Sequence, residues 1–495
     1  MTSSRRLVPC LTACALVLAG GCTLANWPYD LQDDTPVLSV DKPDSFKKSE
    51  FGALVMPIHK PLGPEDPRGT YVAVAAPAPS PTSIHRLARG EEILGGKMVR
   101  LYASAIRAEP WSKYDTGTAM ASVSEWVYLD ESEPDLGCLV LGEPGFEGMS
   151  TAAGGFTRLC LETTDTENPR RVEGSGLRTQ DAVVPSAVGR SVATLTLPGS
   201  DELKYIVLGA EGSVHLLNNR LNMGLAPSLE PTDEADDYGV AVAAGHLGDD
   251  WPAWVAVGSL GRVHLYVVWD DPVTAPPDFP DGPDPDDWWL QASWESAERV
   301  GFGTRLWSGD VDDDGLTDLV VGTDPGIQDR AEDVVIVLGS SIESLLPAAI
   351  PPPVHPTVVP QSVPEDVVVG CVDFDERDVS CGQPSRFGSS VAVGDLDADG
   401  DSELVVGAPG AKVGTRNSAG AVYVFDPDAP AVPLAVLRDA MPEGGAHLGE
   451  SVGVAHVTDR DEVVAGAPGT SELFVFFCSG VGDDNPNDAD GALCR

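Results

Sequence analysis

The chain has 495 residues, of which 31 are basic and 77 acidic, for a formal net charge of −46. A field of that sign repels nucleic acid and anionic lipid, keeps the body soluble and suits a chain that gathers divalent cations, so no nucleic-acid partner is expected. Gly (53) and Pro (42) are abundant, short Val-rich runs recur between them and no long amphipathic helix stands out, which argues for an all-β fold.

In chain order, Arg5 and Arg6 precede an apolar stretch over residues 7–18. It is too short to span a bilayer and long enough for the core of an export signal. The stretch runs into Leu18-Ala19-Gly20-Gly21-Cys22, which resembles a bacterial lipobox with its leucine one residue further out than usual. The expectation is a lipoprotein signal over 1–21, acylation at Cys22 and a tether over 22–34. That places the exported body at a bacterial outer membrane or cell surface, with the membrane as a partner through the lipid. An ordinary secretory signal with a chance cysteine is the alternative. Several acyl chains on one cysteine give firm anchoring where one chain binds marginally.

A repeat then organises the chain. Each unit opens with an aromatic or apolar residue followed by Gly and a small-residue strand. A Val-rich strand ending in Gly-x-Pro or a relative comes next, then a third strand. The first unit starts at Phe51-Gly52 and continues through Val72-Ala73-Val74-Ala75-Ala76-Pro77. The second starts at Gly117 and continues through Leu139-Val140-Leu141-Gly142-Glu143-Pro144-Gly145. The third and fourth start at Val188-Gly189 and Tyr238-Gly239, with third strands Val214-His215-Leu216-Leu217 and Val263-His264-Leu265-Tyr266. Phe302-Gly303 opens the fifth, which reaches Leu319-Val320-Val321-Gly322. Phe387-Gly388 opens the sixth, which reaches Leu404-Val405-Val406-Gly407-Ala408-Pro409. Leu448-Gly449 opens the seventh, which reaches Val463-Val464-Ala465-Gly466-Ala467-Pro468. Starts fall roughly fifty to eighty-five residues apart, the range of a four-stranded propeller blade with its loops.

Two loops carry the strongest chemical signal. The fifth unit holds Asp310-Val311-Asp312-Asp313-Asp314-Gly315-Leu316-Thr317-Asp318, and the sixth Asp395-Leu396-Asp397-Ala398-Asp399-Gly400-Asp401-Ser402-Glu403. Calcium takes six to eight oxygens at about 2.3–2.6 Å, and alternate positions of a tight loop point inward. Asp310, Asp312 and Asp314, and likewise Asp395, Asp397 and Asp399, are read as side-chain ligands, and Gly at position six permits the turn. Leu316 and Asp401 are read as carbonyl ligands, Asp318 and Glu403 as the final carboxylates. Unlike an EF-hand, each loop leads straight into a strand. The bland alternative is an acidic solvent turn, but so many carboxylates crowded without a cation raise one another's pKa. Two calcium ions are expected. The matching slots 245–250 and 456–461 lack the ligand count.

Six cysteines follow Cys22. Several connectivities are possible; the nearest-neighbour set, Cys138–Cys160, Cys371–Cys381 and Cys478–Cys494, closes only short loops and is the one expected. Gly449-Glu450-Ser451-Val452-Gly453 has the form of a hydrolase nucleophile elbow, yet Ser191 and Ser390 hold the same repeat position, so Ser451 is read as a strand feature. His215 and His264 share a third-strand position with Tyr423 and Phe474 and are read as packing or surface residues. Trp251, Trp254, Trp288, Trp289 and Trp294 cluster in the fourth unit, with core packing the default and a carbohydrate- or peptide-contacting patch the alternative.

The units resemble FG-GAP repeats, the family that builds the integrin α-subunit head and the propeller of GPI-specific phospholipase D. The resemblance implies an all-β, seven-bladed β-propeller of four-stranded antiparallel blades over 35–478. Residues 37–40 would complete the seventh blade and a disulfide-closed tail would occupy 479–495. It also implies calcium hairpins on the lower face and an unknown protein or carbohydrate ligand at the upper face, hence a non-enzymatic adhesion or ligand-binding module. A propeller-scaffold hydrolase or lyase, and a structural envelope assembly lipoprotein, are the alternatives.

Overall fold

The computed structural model describes residues 37–41, 51–58, 69–75, 83–90, 98–102, 120–123, 135–142, 144, 155–162, 187–196, 203–218, 228–229, 231, 237–248, 253–268, 288–296, 299, 301–323, 332–346, 358–374, 378–381, 384–397, 399–456 and 461–476. The signal, tether and tail, Cys22, Cys478 and Cys494, the unit start at Gly117 and Trp251 lie outside these residues.

The described chain is all-β apart from one short helix. Strand β1 (Val37–Asp41) precedes β2 (Leu54–Ile58), β3 (Gly69–Ala75), β4 (Ser83–Gly90) and β5 (Met98–Tyr102), then β6 (Met120–Val123), β7 (Asp135–Gly142) and β8 (Phe156–Glu162). Next come β9 (Ser191–Thr196), β10 (Leu203–Ala210), β11 (Ser213–Asn218) and β12 (Ser228–Leu229), then β13 (Ala241–His246), β14 (Ala253–Ser259), β15 (Arg262–Val268) and β16 (Trp288–Glu295). Strands β17 (Arg305–Gly309), β18 (Asp318–Gly322) and β19 (Asp333–Val337) lead to helix α1 (Gly339–Ser344), β20 (Gln361–Ser362), β21 (Val367–Gly370) and β22 (Val379–Ser380). The chain continues through β23 (Val391–Gly394), β24 (Glu403–Ala408), β25 (Lys412–Val413), β26 (Ala421–Phe425) and β27 (Ala435–Leu437). It ends in β28 (Ser451–His456), β29 (Asp461–Ala467) and β30 (Glu472–Phe476).

These strands make a succession of small antiparallel sheets, in the orders β2-β3-β4-β5, β6-β7-β8, β9-β10-β11-β12, β13-β14-β15-β16, β17-β18-β19-β21 and β23-β24-β26-β27. The last has the order β28-β29-β30-β1, so the first strand of the chain completes the sheet begun by the final repeat, with Val37 opposite Phe476 and Asp41 opposite Glu472. Strand β20 adds in parallel to β16, and β22 pairs with β25 in a small separate ribbon. The opening strands of the sheets touch in sequence: β2 meets β6, β6 meets β9, β9 meets β13, β13 meets β17, β17 meets β23, β23 meets β28, and β28 meets β2.

The second strands β14, β18 and β24 carry apolar runs because both their faces are covered. In β14, Trp254 and Ala256 pack toward Phe302, Leu319 and Val335 of the next sheet. Val255 and Val257 pack toward Tyr205, Val207 and Leu216 of the preceding one. The same alternation divides Leu404 and Val406 from Val405 in β24. Apolar clusters therefore sit at the junctions between sheets. Aromatic residues that open units plug junctions, as Tyr238, Phe302 and Phe387 do; Phe387, fully buried, lies edge-on to Tyr423 and Phe425 with ring centroids 5.5 and 6.0 Å away.

What sets the distance between sheets is a pair of glycines. Within the sixth sheet Gly388 N–H donates to Gly407 O at 3.0 Å. The Cα of Gly407 faces the carbonyl of Gly449, which opens the seventh unit, so closely that no Cβ fits between them. The arrangement recurs for Gly142 with Gly189, Gly209 with Gly239, Gly258 with Gly303, Gly322 with Gly388 and Gly466 with Gly52. Serines at the start of the first strands seal the same seam: Ser191 Oγ donates to Gly239 O and Ser390 Oγ to Gly449 O, each at 2.9 Å. Ser451 is a third such residue, its hydroxyl accepting the Val55 N–H at 2.7 Å and donating to Val55 O at 3.4 Å. The hydroxyl that resembles a nucleophile is thus committed to the backbone of a neighbouring sheet.

Gly407→Ala is expected to cost about 1–3 kcal/mol through overpacking at the seam, read as a lowered denaturation midpoint. Gly370→Ala, where the nearest atom to a new Cβ is Glu332 O at 4.0 Å, is expected to leave the midpoint unchanged.

Candidate metal centres

The two acidic loops are the connections between β17 and β18 and between β23 and β24. Both are closed by the same pairing, Gly309 opposite Asp318 and Gly394 opposite Glu403. Position six is left-handed in each, with φ of 83° at Gly315 and 101° at Gly400, and a Cβ there would meet nothing within 4 Å. The glycine is needed for conformation, since L side chains rarely adopt such a φ.

Carboxylate oxygens of Asp310, Asp312 and Asp318 gather within 4.8 Å of one another, as do those of Asp395, Asp397 and Asp399. The first position behaves identically in both loops. Asp310 Oδ2 accepts the Gly315 N–H at 3.0 Å and Asp395 Oδ2 the Gly400 N–H at 3.2 Å, while the Oδ1 atoms of both residues are buried and meet no donor. A buried carboxylate oxygen with no donor carries a desolvation cost that a cation at the centre of the cluster would remove. Hard oxygen donors at these spacings fit calcium.

The ninth position differs from the sequence expectation in its first duty. Asp318, fully buried, accepts the Val311 N–H through Oδ2 and the Gly339 N–H through Oδ1, both at 2.6 Å, so it fastens the loop to helix α1 as well as facing the cluster. Glu403 accepts the Leu396 N–H through Oε2 at 2.8 Å and stands outside the sixth-unit cluster, where Asp399 completes the three. In the fifth-unit loop it is Asp314 that stands outside, its Oδ1 accepting the Leu316 N–H at 2.8 Å. Asp401 N–H likewise donates to Asp399 Oδ1 at 3.0 Å.

The charges resist this crowding. Burial pushes the Asp318 carboxyl up to about 7, Asp312 and Asp310 adding to the rise and the Gly339 and Val311 N–H groups opposing it. Burial likewise pushes Glu403 up to about 7, with Asp397, Asp399 and Asp395 adding. Asp310, Asp312 and Asp397 are raised, chiefly by desolvation and then by neighbouring aspartates. Asp401 is raised chiefly by the charge of Asp399.

Two contacts of these loops have no counterpart in the motif. Thr317 docks the fifth-unit loop on the fourth sheet, its N–H donating to His246 O at 2.9 Å and its carbonyl accepting the Trp254 Nε1–H at 3.2 Å. Asp313 reaches the sixth-unit loop at Ser402. The residues lie far apart in sequence and of ordinary types, so only the stacking of sheets joins them. In the fourth unit the slot that lacks the ligand count holds the platform for this docking, with Leu247 bridged to Leu316.

The other singled-out residues fall as follows. Cys371 and Cys381 form a disulfide with Cα atoms 5.8 Å apart, and both sulfurs lie beside the Tyr423 hydroxyl, which donates to Val372 O at 3.0 Å. Cys138 lies opposite Cys160 in the β7–β8 register. His264 is buried against the edge of Tyr238, and His215 meets the Ser213 hydroxyl at 3.2 Å. Trp254 and Trp294 are buried in the junction between the fourth and fifth sheets, as core packing requires. No helix among the described residues is long and apolar enough to cross a membrane.

Compared with known proteins, residues 387–425 match the model of the FG-GAP repeat, so the chain contains an FG-GAP repeat spanning Phe387-Gly388, the whole acidic loop of the sixth unit, β24 and β26. No curated protein matches the chain.

The raised carboxyls set a sign for pH. A carboxyl whose folded pKa exceeds its unfolded value near 4 holds more protons folded, so stability falls as pH rises from about 4 through about 7. In chelator the melting temperature is expected to drop between pH 5 and pH 8. A dication held by these carboxylates would favour their ionised form, so the gap between melting curves with and without it would widen with pH.

Proposed function

We propose that the chain is an integrin-like, calcium-binding β-propeller of seven blades that serves as a surface-held adhesion or ligand-binding module. The observation that carries this reading is one corner built twice. In two neighbouring sheets, the same acidic loop holds the same buried, donor-free oxygen at its first position.

The architecture is supported by the unbroken round of contacts from β2 through β6, β9, β13, β17, β23 and β28 back to β2, and by the pairing of β1 with β30. A single four-stranded sheet cannot cover both of its faces, and a ring covers them all. The FG-GAP match over 387–425 supports the kinship of the repeats. Asp310, Asp312, Asp318 and the Leu316 carbonyl would hold one ion, with Asp314 turning in from its cap on Leu316. Asp395, Asp397, Asp399 and the Asp401 carbonyl would hold the other, with Glu403 behind them. Calcium supplies the positive charge that lets these carboxylates stay ionised at neutral pH. The residues themselves orient the hairpins: Asp318 and Glu403 fix the second position of each loop, and Gly315 and Gly400 turn the chain.

Such a ring presents hairpins on one face to metal and leaves the opposite face, with the ribbon of β22 and β25, to a protein or carbohydrate ligand. The Cys371–Cys381 disulfide supports an oxidising compartment. Together with the apolar stretch over residues 7–18 and Cys22 it supports export and lipid anchoring.

Calcium is expected to raise the melting temperature relative to chelator, and Asp312→Ala and Asp397→Ala should each remove part of that rise. Superimposable melts in calcium and chelator would sink the metal reading. For the module reading, the lipid-free body on a matrix should retain envelope proteins or glycans. A body that is folded and calcium-loaded yet retains neither would count against adhesion.

A further inference from the structure

The two acidic loops are joined by a residue that the ligand pattern does not use. Asp313 lies between Asp312 and Asp314, but its backbone is left-handed with φ 52°, a conformation Asp tolerates better than most residues. Its carboxylate leaves the cluster and crosses to the next sheet. There Oδ2 accepts the Ser402 N–H at 2.5 Å and Oδ1 accepts the Ser402 hydroxyl at 3.0 Å. Ser402 stands between Asp401, the expected carbonyl ligand, and Glu403, which fixes Leu396. The clamp therefore grips the backbone between two functional positions of the sixth-unit loop.

The fifth-unit loop is itself held on its other flank. Thr317 N–H donates to His246 O at 2.9 Å, and Thr317 Oγ1 accepts the His246 N–H at 3.2 Å. The Thr317 carbonyl accepts from Trp254, which is fully buried. One loop is thus seated on a rigid strand and hands its position to the next through Asp313.

We infer that Asp313 is a positioning residue that couples the two cation sites, so that filling the fifth-unit loop prepares the sixth-unit loop for its own ion. The inference rests on the calcium reading given above. An ion in the first loop fixes the backbone on both sides of Asp313 and so fixes the acceptor pair offered to Ser402. The second loop then closes with less ordering left to do. The effect is reciprocal, since each ligand must shift the other's affinity by the same factor. Two dications in adjacent loops repel, and the Asp313 carboxylate places a negative charge between them.

Calcium titration by calorimetry on the chelator-stripped full chain tests this. The wild type is expected to bind two ions with positive cooperativity. Asp313→Asn keeps tolerance of the left-handed backbone but removes the anionic acceptor pair, and should bind two ions independently, the second about tenfold more weakly. Ser402→Ala changes no charge and keeps its N–H, and should give a smaller loss of cooperativity in the same direction. Asp312→Ala should abolish the first site and weaken the remaining one. Adding Asp313→Asn to it should change nothing further, because the coupling has already gone.

If Asp313→Asn and Ser402→Ala still bind two ions with undiminished cooperativity, or lose affinity equally at both sites with cooperativity intact, the coupling is wrong while the calcium reading stands. Should Asp313→Asn fail to fold, Ser402→Ala decides alone. A folded wild type that binds no calcium would overturn both.

Discussion

A glycine facing a carbonyl across a seam is the constraint on which the rest of the structure depends. At Gly407 against Gly449, and at each equivalent pair, two backbones approach to a distance that excludes even a methyl group. Close approach lets the Val-rich second strands interdigitate with both neighbours, which is why they carry apolar residues on both faces. It also aligns the sheets so that hairpins of the same kind emerge side by side. The acidic loops of the fifth and sixth units are neighbours for this reason, although their sequences have no contact along the chain.

Charge works against that alignment. Asp310, Asp312 and Asp318, and Asp395, Asp397 and Asp399, are set close together in a protein already strongly negative. Burial and then neighbouring aspartates push Asp310, Asp312, Asp318 and Asp397 up, and Asp310 and Asp395 each keep one buried oxygen that meets no donor. The fold meets part of this cost with backbone N–H groups at Val311, Gly339, Leu396, Gly315 and Gly400. The one oxygen it leaves unmet at the first position is the same in both loops, and that shared cost is what the proposed ion would remove. Elsewhere Asp333 and Glu365 are paired with Arg299, and Glu450 with Arg386.

Much of this was legible in the sequence, because repetition converts weak local signals into a frame. The spacing of Phe-Gly and Gly-x-Pro marks where second strands lie, and β3, β7, β18, β24 and β29 fall on the runs so marked. The recurrence of Ser191, Ser390 and Ser451 marks a strand feature where a motif alone suggests a nucleophile, and the structure adds that all three seal a seam. The strand over residues 37–40 was anticipated from resemblance and is found paired as β1. The parallel addition of β20 to β16, the ribbon of β22 and β25, and the Asp313–Ser402 clamp had no sequence signal. Each joins segments of low periodicity across a gap that only the packed sheets define. The ligand pattern was also coarser than the geometry: it treated Asp318 and Glu403 as terminal ligands, whereas both first hold a backbone N–H of their own loop.

The pairing of β1 with β30 has a consequence for biogenesis. The edge that β1 covers is supplied by β30, far along the described chain, so a strand made early must wait for one made much later before it finds its place. Until then β1 stays unpaired, and once formed β30 offers an open row of backbone donors and acceptors, the kind of edge that recruits foreign strands. Premature termination a few residues short of Phe476 would leave every earlier repeat intact and still deny the molecule its latch.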